Sequence, residues 1–237
     1  MNSLLWKVTV CVLGIAFSSS AVANLLSNPG FEIQESTDGE YPSVAGNWEG
    51  DISEIVSTEN GISPFERSNM LKFIYAAGDY GAYTTIASQV RQTIDLSSYS
   101  QMISSGTARA DLSAYFNRVQ FDLQTDTEFA VCIAAFQGDI DNYVNLARDG
   151  LELAMIESSI LTDSDIATWE MAQAQMIIPS NADFLAIQVI AYENIFNDYS
   201  GVEFDGHYCD QVSLEIIPEP ATLFLTLLGG VFLRRKK

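Results

Sequence analysis

From residue 107 to residue 117 the side chains alternate in character. Ala108, Ala110, Leu112, Ala114 and Phe116 interleave with Thr107, Arg109, Asp111, Ser113, Tyr115 and Asn117. A period of two sends successive side chains to opposite sides of an extended chain, so this segment reads as a strand with one buried face. Similar runs occupy residues 70–75, 88–94, 128–136, 151–156, 168–178, 183–193 and 208–217, separated by clusters of Gly, Asn, Asp and Ser. About eight strands with no long amphipathic helix predict an all-β, two-sheet sandwich. Short helical turns are expected at 97–105 and 163–167. With 48% apolar residues the 237-residue chain has the material for a sizeable core.

The two ends of the chain read differently. Lys7, the apolar run 8–17 and the small-x-small pattern Ala21-Val22-Ala23 form a secretory signal peptide, with cleavage before Asn24. Kept as a helix, that run would rise only about 15 Å, short of a hydrocarbon core of roughly 30 Å. At the far end, Pro218-Glu219-Pro220 precedes an apolar stretch, 221–233, and then Arg234-Arg235-Lys236-Lys237. The prolines stop the preceding strand. The apolar run is expected to enter the bilayer as a short transmembrane helix, with the four cations held on the cytoplasmic side. Three segments result: 1–23, an acidic body at 24–217, and a tail at 218–237.

This tail closely resembles the PEP-CTERM sorting signal, which implies recognition by an exosortase in bacteria with an outer membrane. The partners so implied are the secretion translocon, the exosortase and the inner membrane as a transient anchor. The implied location is the periplasmic side of that membrane, then the cell surface or the extracellular space after processing.

Removing both ends sharpens the charge. The chain carries 11 Lys and Arg against 31 Asp and Glu, but Lys7 and the four tail cations lie outside the body and only Glu219 is lost with them. The body thus holds 6 bases and 30 acids. Such a surface repels nucleic acid and acidic polysaccharide and attracts divalent cations. Cys11 leaves with the signal peptide, so Cys132 and Cys209 remain as an even pair in an oxidising compartment. They either form a disulfide or stay as two separate buried thiols.

The body also resembles the galactose-binding-like jelly rolls, which include carbohydrate-binding modules. The residues that carry this likeness are the opening Asn24-Leu25-Leu26-Ser27-Asn28-Pro29-Gly30-Phe31-Glu32, Trp48, Gln92-Thr93-Ile94-Asp95-Leu96, and the closing Tyr208-Cys209-Asp210-Gln211-Val212-Ser213-Leu214. The resemblance implies a structural calcium where the first and last segments meet, held by Glu32 and Asp210, although Gln211 stands where a second acid is usual. From the residues alone, Asp210 shares a strand face with Tyr208, Val212, Leu214 and Ile216. A carboxylate there needs a hard cation or several donors. Loop amides, an Arg, or a β-bulge near Gly206 would serve equally.

Catalytic chemistry has little to stand on. His207 is the only histidine, which excludes a two-His metal site, and it is expected at the surface or a strand edge. No Gly-x-Ser-x-Gly elbow or phosphate-binding Gly-rich loop occurs. Residues 137–142 resemble a metal loop only in fragment. Two aromatic loops have the composition of sugar sites: 193–205, with Phe196, Asn197, Asp198 and Tyr199 at its centre, and the group Tyr75, Tyr80 and Tyr83. They read equally as solvated turns whose rings cap the sandwich. The expected function is non-enzymatic: an exported surface or extracellular-matrix protein whose body serves adhesion or matrix interaction. The alternative is a specific carbohydrate-binding module that recognises extracellular polysaccharide, and a hydrolase is a distant third.

Overall fold

The structure is a computed structural model describing residues 23–35, 41–75, 87–120, 125–195, 204 and 206–218. Ten strands are present: β1 (Glu49–Gly50), β2 (Ile52–Val56), β3 (Met70–Tyr75), β4 (Ala87–Asp95), β5 (Ala108–Arg118), β6 (Glu128–Phe136), β7 (Ala154–Leu161), β8 (Glu170–Ile177), β9 (Phe184–Tyr192) and β10 (His207–Pro218). They form a front sheet in the order β1-β4-β9-β6-β7 and a back sheet in the order β2-β3-β10-β5-β8. Every pairing is antiparallel. Setting aside β1 and β2, strands β3 to β10 pass from sheet to sheet at every connection but the β6–β7 hairpin, the eight-stranded double Greek key of a jelly roll.

Alternation supplies the core. Ala110, Leu112, Ala114 and Phe116 of β5 face Phe129, Val131 and Ile133 of β6 and Leu185, Ile187 and Val189 of β9 in one buried cluster. Phe116 stacks on Phe129 across the sheets at 4.9 Å. β6 and β9 run through the middle of the front sheet and are buried on both faces. Their outward positions carry Ala130, Cys132, Ala134 and Ala186, with Phe136 and Phe184 packed against Tyr143 at one end and Ile190 towards the other.

Some elements depart from expectation. The strand foreseen at 151–156 lies at Ala154–Leu161, because residues 143–148 form a helix, α1, whose connection uses the chain up to Leu153. β1 and β2 are too short to show a period, and the chain passes between sheets within one residue. Gly50 permits this: a Cβ there would lie 2.2 Å from the Gln89 carbonyl oxygen. Asp51 then accepts the Gln89 amide at 2.8 Å. The helical turn expected at 97–105 forms as a 3-10 turn followed by Ser100–Ser104, whereas 163–167 makes only turns and Asx-type bonds.

Two expectations for β10 are corrected, and the cysteines take the second of their two alternatives. Cys132 and Cys209 are not bonded to each other. Cys132 points to the outer side of the front sheet, while Cys209 lies in the core between the sheets, so sheet backbone separates them. His207 is buried, because β10 is a central strand rather than an edge. Asp210 does not share a face with Val212, Leu214 and Ile216. A bulge between Asp210 and Ser213, with Gln211 at φ 46°, shifts the phase of alternation and turns Asp210 away from the core.

Among the described residues no helix is long and apolar enough to cross a membrane. Pro218 ends β10. Ala21, Glu219, the apolar stretch 221–233 and Arg234, Arg235, Lys236 and Lys237 lie outside the described residues, as do Phe196, Asn197, Asp198 and Tyr199.

Candidate functional site

Register brings together polar residues far apart in sequence. On the outer face of the front sheet, Glu49 of β1 pairs with Arg91 of β4, Arg91 with Gln188 of β9, Gln188 with Cys132 of β6, and Cys132 with Glu157 of β7. One row therefore crosses all five strands, with charged or amide groups on either side of a small central side chain. Arg91 Nε donates to Gln188 Oε1 at 3.3 Å, and its Nη2 donates to Gln89 on the same strand. Tyr192, in the register row that begins at Ala87, donates its hydroxyl to the Glu157 carboxylate at 2.9 Å. Burial and that carboxylate push the Tyr192 phenol upward, so it stays a donor.

One end of this face has a wall. Tyr41 takes the Arg91 guanidinium over its ring at 4.9 Å and the Arg148 guanidinium at 5.5 Å. Behind it, Tyr143 of α1 meets the stacked pair Phe136 and Phe184 edge-on. Two of the body's six bases thus flank a single aromatic ring. At the opposite end, Ala87 and Tyr192 are register partners. Tyr80 and Tyr83 of the aromatic group singled out from sequence lie outside the described residues, as does the centre of the loop 193–205.

The chemistry available is recognition. Arg91 offers donors, Gln89 and Gln188 both donors and acceptors, and Glu157 and Glu49 acceptors, all fixed on strands over a low floor. That set matches vicinal hydroxyls beside a ring. Cys132 in the floor is no nucleophile, since burial first and Glu157 second push its thiol up to about 12. His207 is equally unavailable. It lies beneath Phe129 and Phe204, its Nε2 bonded to the Asp126 carbonyl at 2.8 Å, and burial lowers its pKa. Asp139 of the metal-loop fragment accepts the Asp141 amide and caps a turn.

Glu32 and Asp210 do converge, on the backbone of loop 65–69. Asp210 is fully buried and accepts the Glu66 amide at 2.9 Å and the Gln211 amide at 2.6 Å. Glu32 accepts the amides of Ser68 at 3.0 Å and Asn69 at 3.2 Å. Burial, reinforced by the Glu32 charge, pushes the Asp210 carboxyl up to about 6 despite the amides that oppose it. Among the described residues no group of three or more His, Cys, Asp or Glu side chains is placed to hold a metal ion, so a cation between these two acids would draw its remaining ligands from backbone carbonyls.

Sequence reasoning missed Arg91, Gln188 and Glu157. The amides and charges at alternate positions of β4 and β9 were the available signal, but the row itself exists only through strand register.

No family model matches the chain, and no curated protein matches it. Some solved structures are similar to it at low identity. TmCBM61, solved in complex with β-1,4-galactotriose, is 14% identical, with a TM-score of 0.44 over 83% of this chain and 99% of that one. The CBM22-1 xylan-binding domain from Paenibacillus barcinonensis Xyn10C is 11% identical, with a TM-score of 0.45 over 86% and 100%. A family 16 carbohydrate-binding module is 12% identical, with a TM-score of 0.42 over 81% and 99%. The site described above stands on this chain's own residues.

Proposed function

We propose that the body is a non-catalytic module that binds a neutral polysaccharide on the outer face of its front sheet. The observation that carries this reading is the row Glu49, Arg91, Gln188, Cys132 and Glu157, with Tyr41 beside Arg91. Fixed amides, a guanidinium and carboxylates over a low floor suit hydroxyl recognition, and the acidic body disfavours uronic-acid or sulfated chains. The test is affinity electrophoresis of the full chain through gels containing xylan, β-1,4-galactan or a β-glucan. At least one should retard the parent, and Gln188→Ala should weaken that retardation about fivefold or more without lowering the melting temperature. If none retards the parent, or if the variant behaves as the parent does, the assignment fails.

Around this module the reading is of an exported protein whose tail is sorted by an exosortase. The ordered series Pro218-Glu219-Pro220, apolar stretch and four cations supports it, as does the acidic body. A structural calcium belongs to the same reading. Glu32 and Asp210 supply hard oxygen donors beside one loop, and a bound cation would offset the mutual repulsion of a half-buried and a fully buried carboxylate. It would tie the start of the chain, loop 65–69 and the last strand together.

A further inference from the structure

The outer face of the back sheet carries a second polar row and an aromatic cluster that the front-sheet reading leaves unused. Glu215 of β10 pairs with Asp111 of β5, which pairs with Gln175 of β8; one step along, Ser213 pairs with Ser113 and Ser113 with Gln173. These six side chains line a groove of about 230 Å³, closed along one side by Met171. Met171 is the register partner of Tyr115, the next outward residue of β5 after Ser113. Tyr115 is covered by Phe65, the rings stacked 4.0 Å apart and 15° from parallel. Trp169 meets Phe65 edge-on at 6.1 Å.

Phe65 comes from neither sheet. It lies on the loop that Asp210 and Glu32 hold, and Trp169 fixes the same loop by donating its indole N–H to the Ser63 carbonyl at 3.1 Å. Ile62 of this loop packs with Met70, Val119 and Tyr208 against the sheet. Bonds at three places therefore hold in position a ring that remains 42% exposed. Packing alone would be served better by burying it.

We infer that this groove is a second glycan site, in which a neutral chain runs along β5 with one sugar ring against the Phe65, Tyr115 and Trp169 cluster while Gln173, Gln175, Asp111 and Glu215 take the hydroxyls of the units that follow. The aromatic platform supplies the apolar contact that one face of a pyranose requires, and amides beside carboxylates supply paired donors and acceptors. Arg109 is bound bidentately to Asp111 at 2.7 and 2.9 Å, so the groove presents no strong attraction to an anionic chain. β8 is the edge of its sheet, which leaves one side open for a long chain to pass. The inference shares the ligand class of the front-sheet reading but none of its residues. With sites on opposite outer faces, one module would hold two polysaccharide chains and cross-link them.

The experiment is calorimetric titration of the full chain with xylo- and galacto-oligosaccharides of defined length, alongside mixing with the parent polysaccharides. The parent is expected to take up two ligands per chain and to raise the turbidity of the polysaccharide. Gln173→Ala lies on an exposed strand edge and leaves the fold intact; it should weaken one site about fivefold. Phe65→Ala should weaken that site about tenfold and abolish the turbidity. Gln188→Ala should affect only the other site. One ligand per chain, lost with Gln188→Ala and untouched by Phe65→Ala and Gln173→Ala, overturns the second site and leaves the front-sheet reading standing. Loss with Phe65→Ala and Gln173→Ala but not Gln188→Ala keeps the second site and overturns the front one. Binding of extended peptides with no sugar binding overturns this site as a glycan site.

Discussion

Glu32 and Asp210, separated by nearly the whole body in sequence, accept backbone amides from the same loop: Asp210 from Glu66 at 2.9 Å, Glu32 from Ser68 at 3.0 Å and Asn69 at 3.2 Å. Two carboxylates so placed repel one another and hold the loop at once. Calcium is expected to raise the melting temperature of the protein more than magnesium does at equal ionic strength. A hundredfold excess over Kd corresponds to about 2.7 kcal/mol. Asp210→Asn should lose that response, and because its NH2 would face one of the two backbone N–H groups that the carboxylate accepts, it should not stabilise the calcium-free protein. Equal shifts with both ions, or a full calcium shift in the variant, would show that no specific site exists.

The two body cysteines should label as free thiols. In the native protein both should react slowly, since burial raises the pKa of each, and unfolding without reductant should expose two reactive groups. Reductant should leave the melting temperature unchanged. A single mass consistent with a disulfide in the unreduced protein would contradict the structure.

Buried His207 sets a pH dependence with a definite sign. Its Nε2–H donates to the Asp126 carbonyl, and among the described residues Nδ1 has no partner, so a second proton would place a charge in the core. The folded pKa lies below the unfolded value near 6.5, so this residue favours folding fully above that pH and costs stability as the pH falls below it. The slope reaches at most about 1.4 kcal/mol per pH unit. Denaturant unfolding at pH 5, 6 and 7 should show it for the parent and a flatter dependence for His207→Gln. A stability difference that stays constant across the three pH values would exclude the effect.

On the sorting reading, neutralising Arg234, Arg235, Lys236 and Lys237 together should reduce membrane retention of the unprocessed protein, because these charges would fix the cytoplasmic end of the tail. Fractionation of cells by membrane flotation would measure it. Undiminished retention and processing would count against the sorting reading.

Strand positions were largely legible because a half-buried strand writes its period into the chain, as β5 does from Ala108 to Arg118. The face of Asp210 was not, because one extra residue at the bulge reverses every side chain beyond it and no periodic pattern announces where that happens. Arg91 and Gln188 illustrate the other gap. Each reads locally as an exposed position on a strand, and only pairing between β4 and β9 makes them neighbours. Phe65 was invisible for a third reason: it sits in an aperiodic loop whose course is set by distant acids.

On the sorting reading, the last strand is also where a load carried by the tail would enter. β10 runs between β3 and β5 at its start. Past the bulge, β5 remains on one side while Leu25 and Asn24 bond to its backbone at Leu214 and Val212 from the other. A tether pulling on Pro218 therefore shears a flanked strand along its length, breaking many bonds in parallel rather than peeling them one at a time. Asn24 and Leu25 are clamped onto the same strand, so a tether at Pro218 would load both ends of the body together.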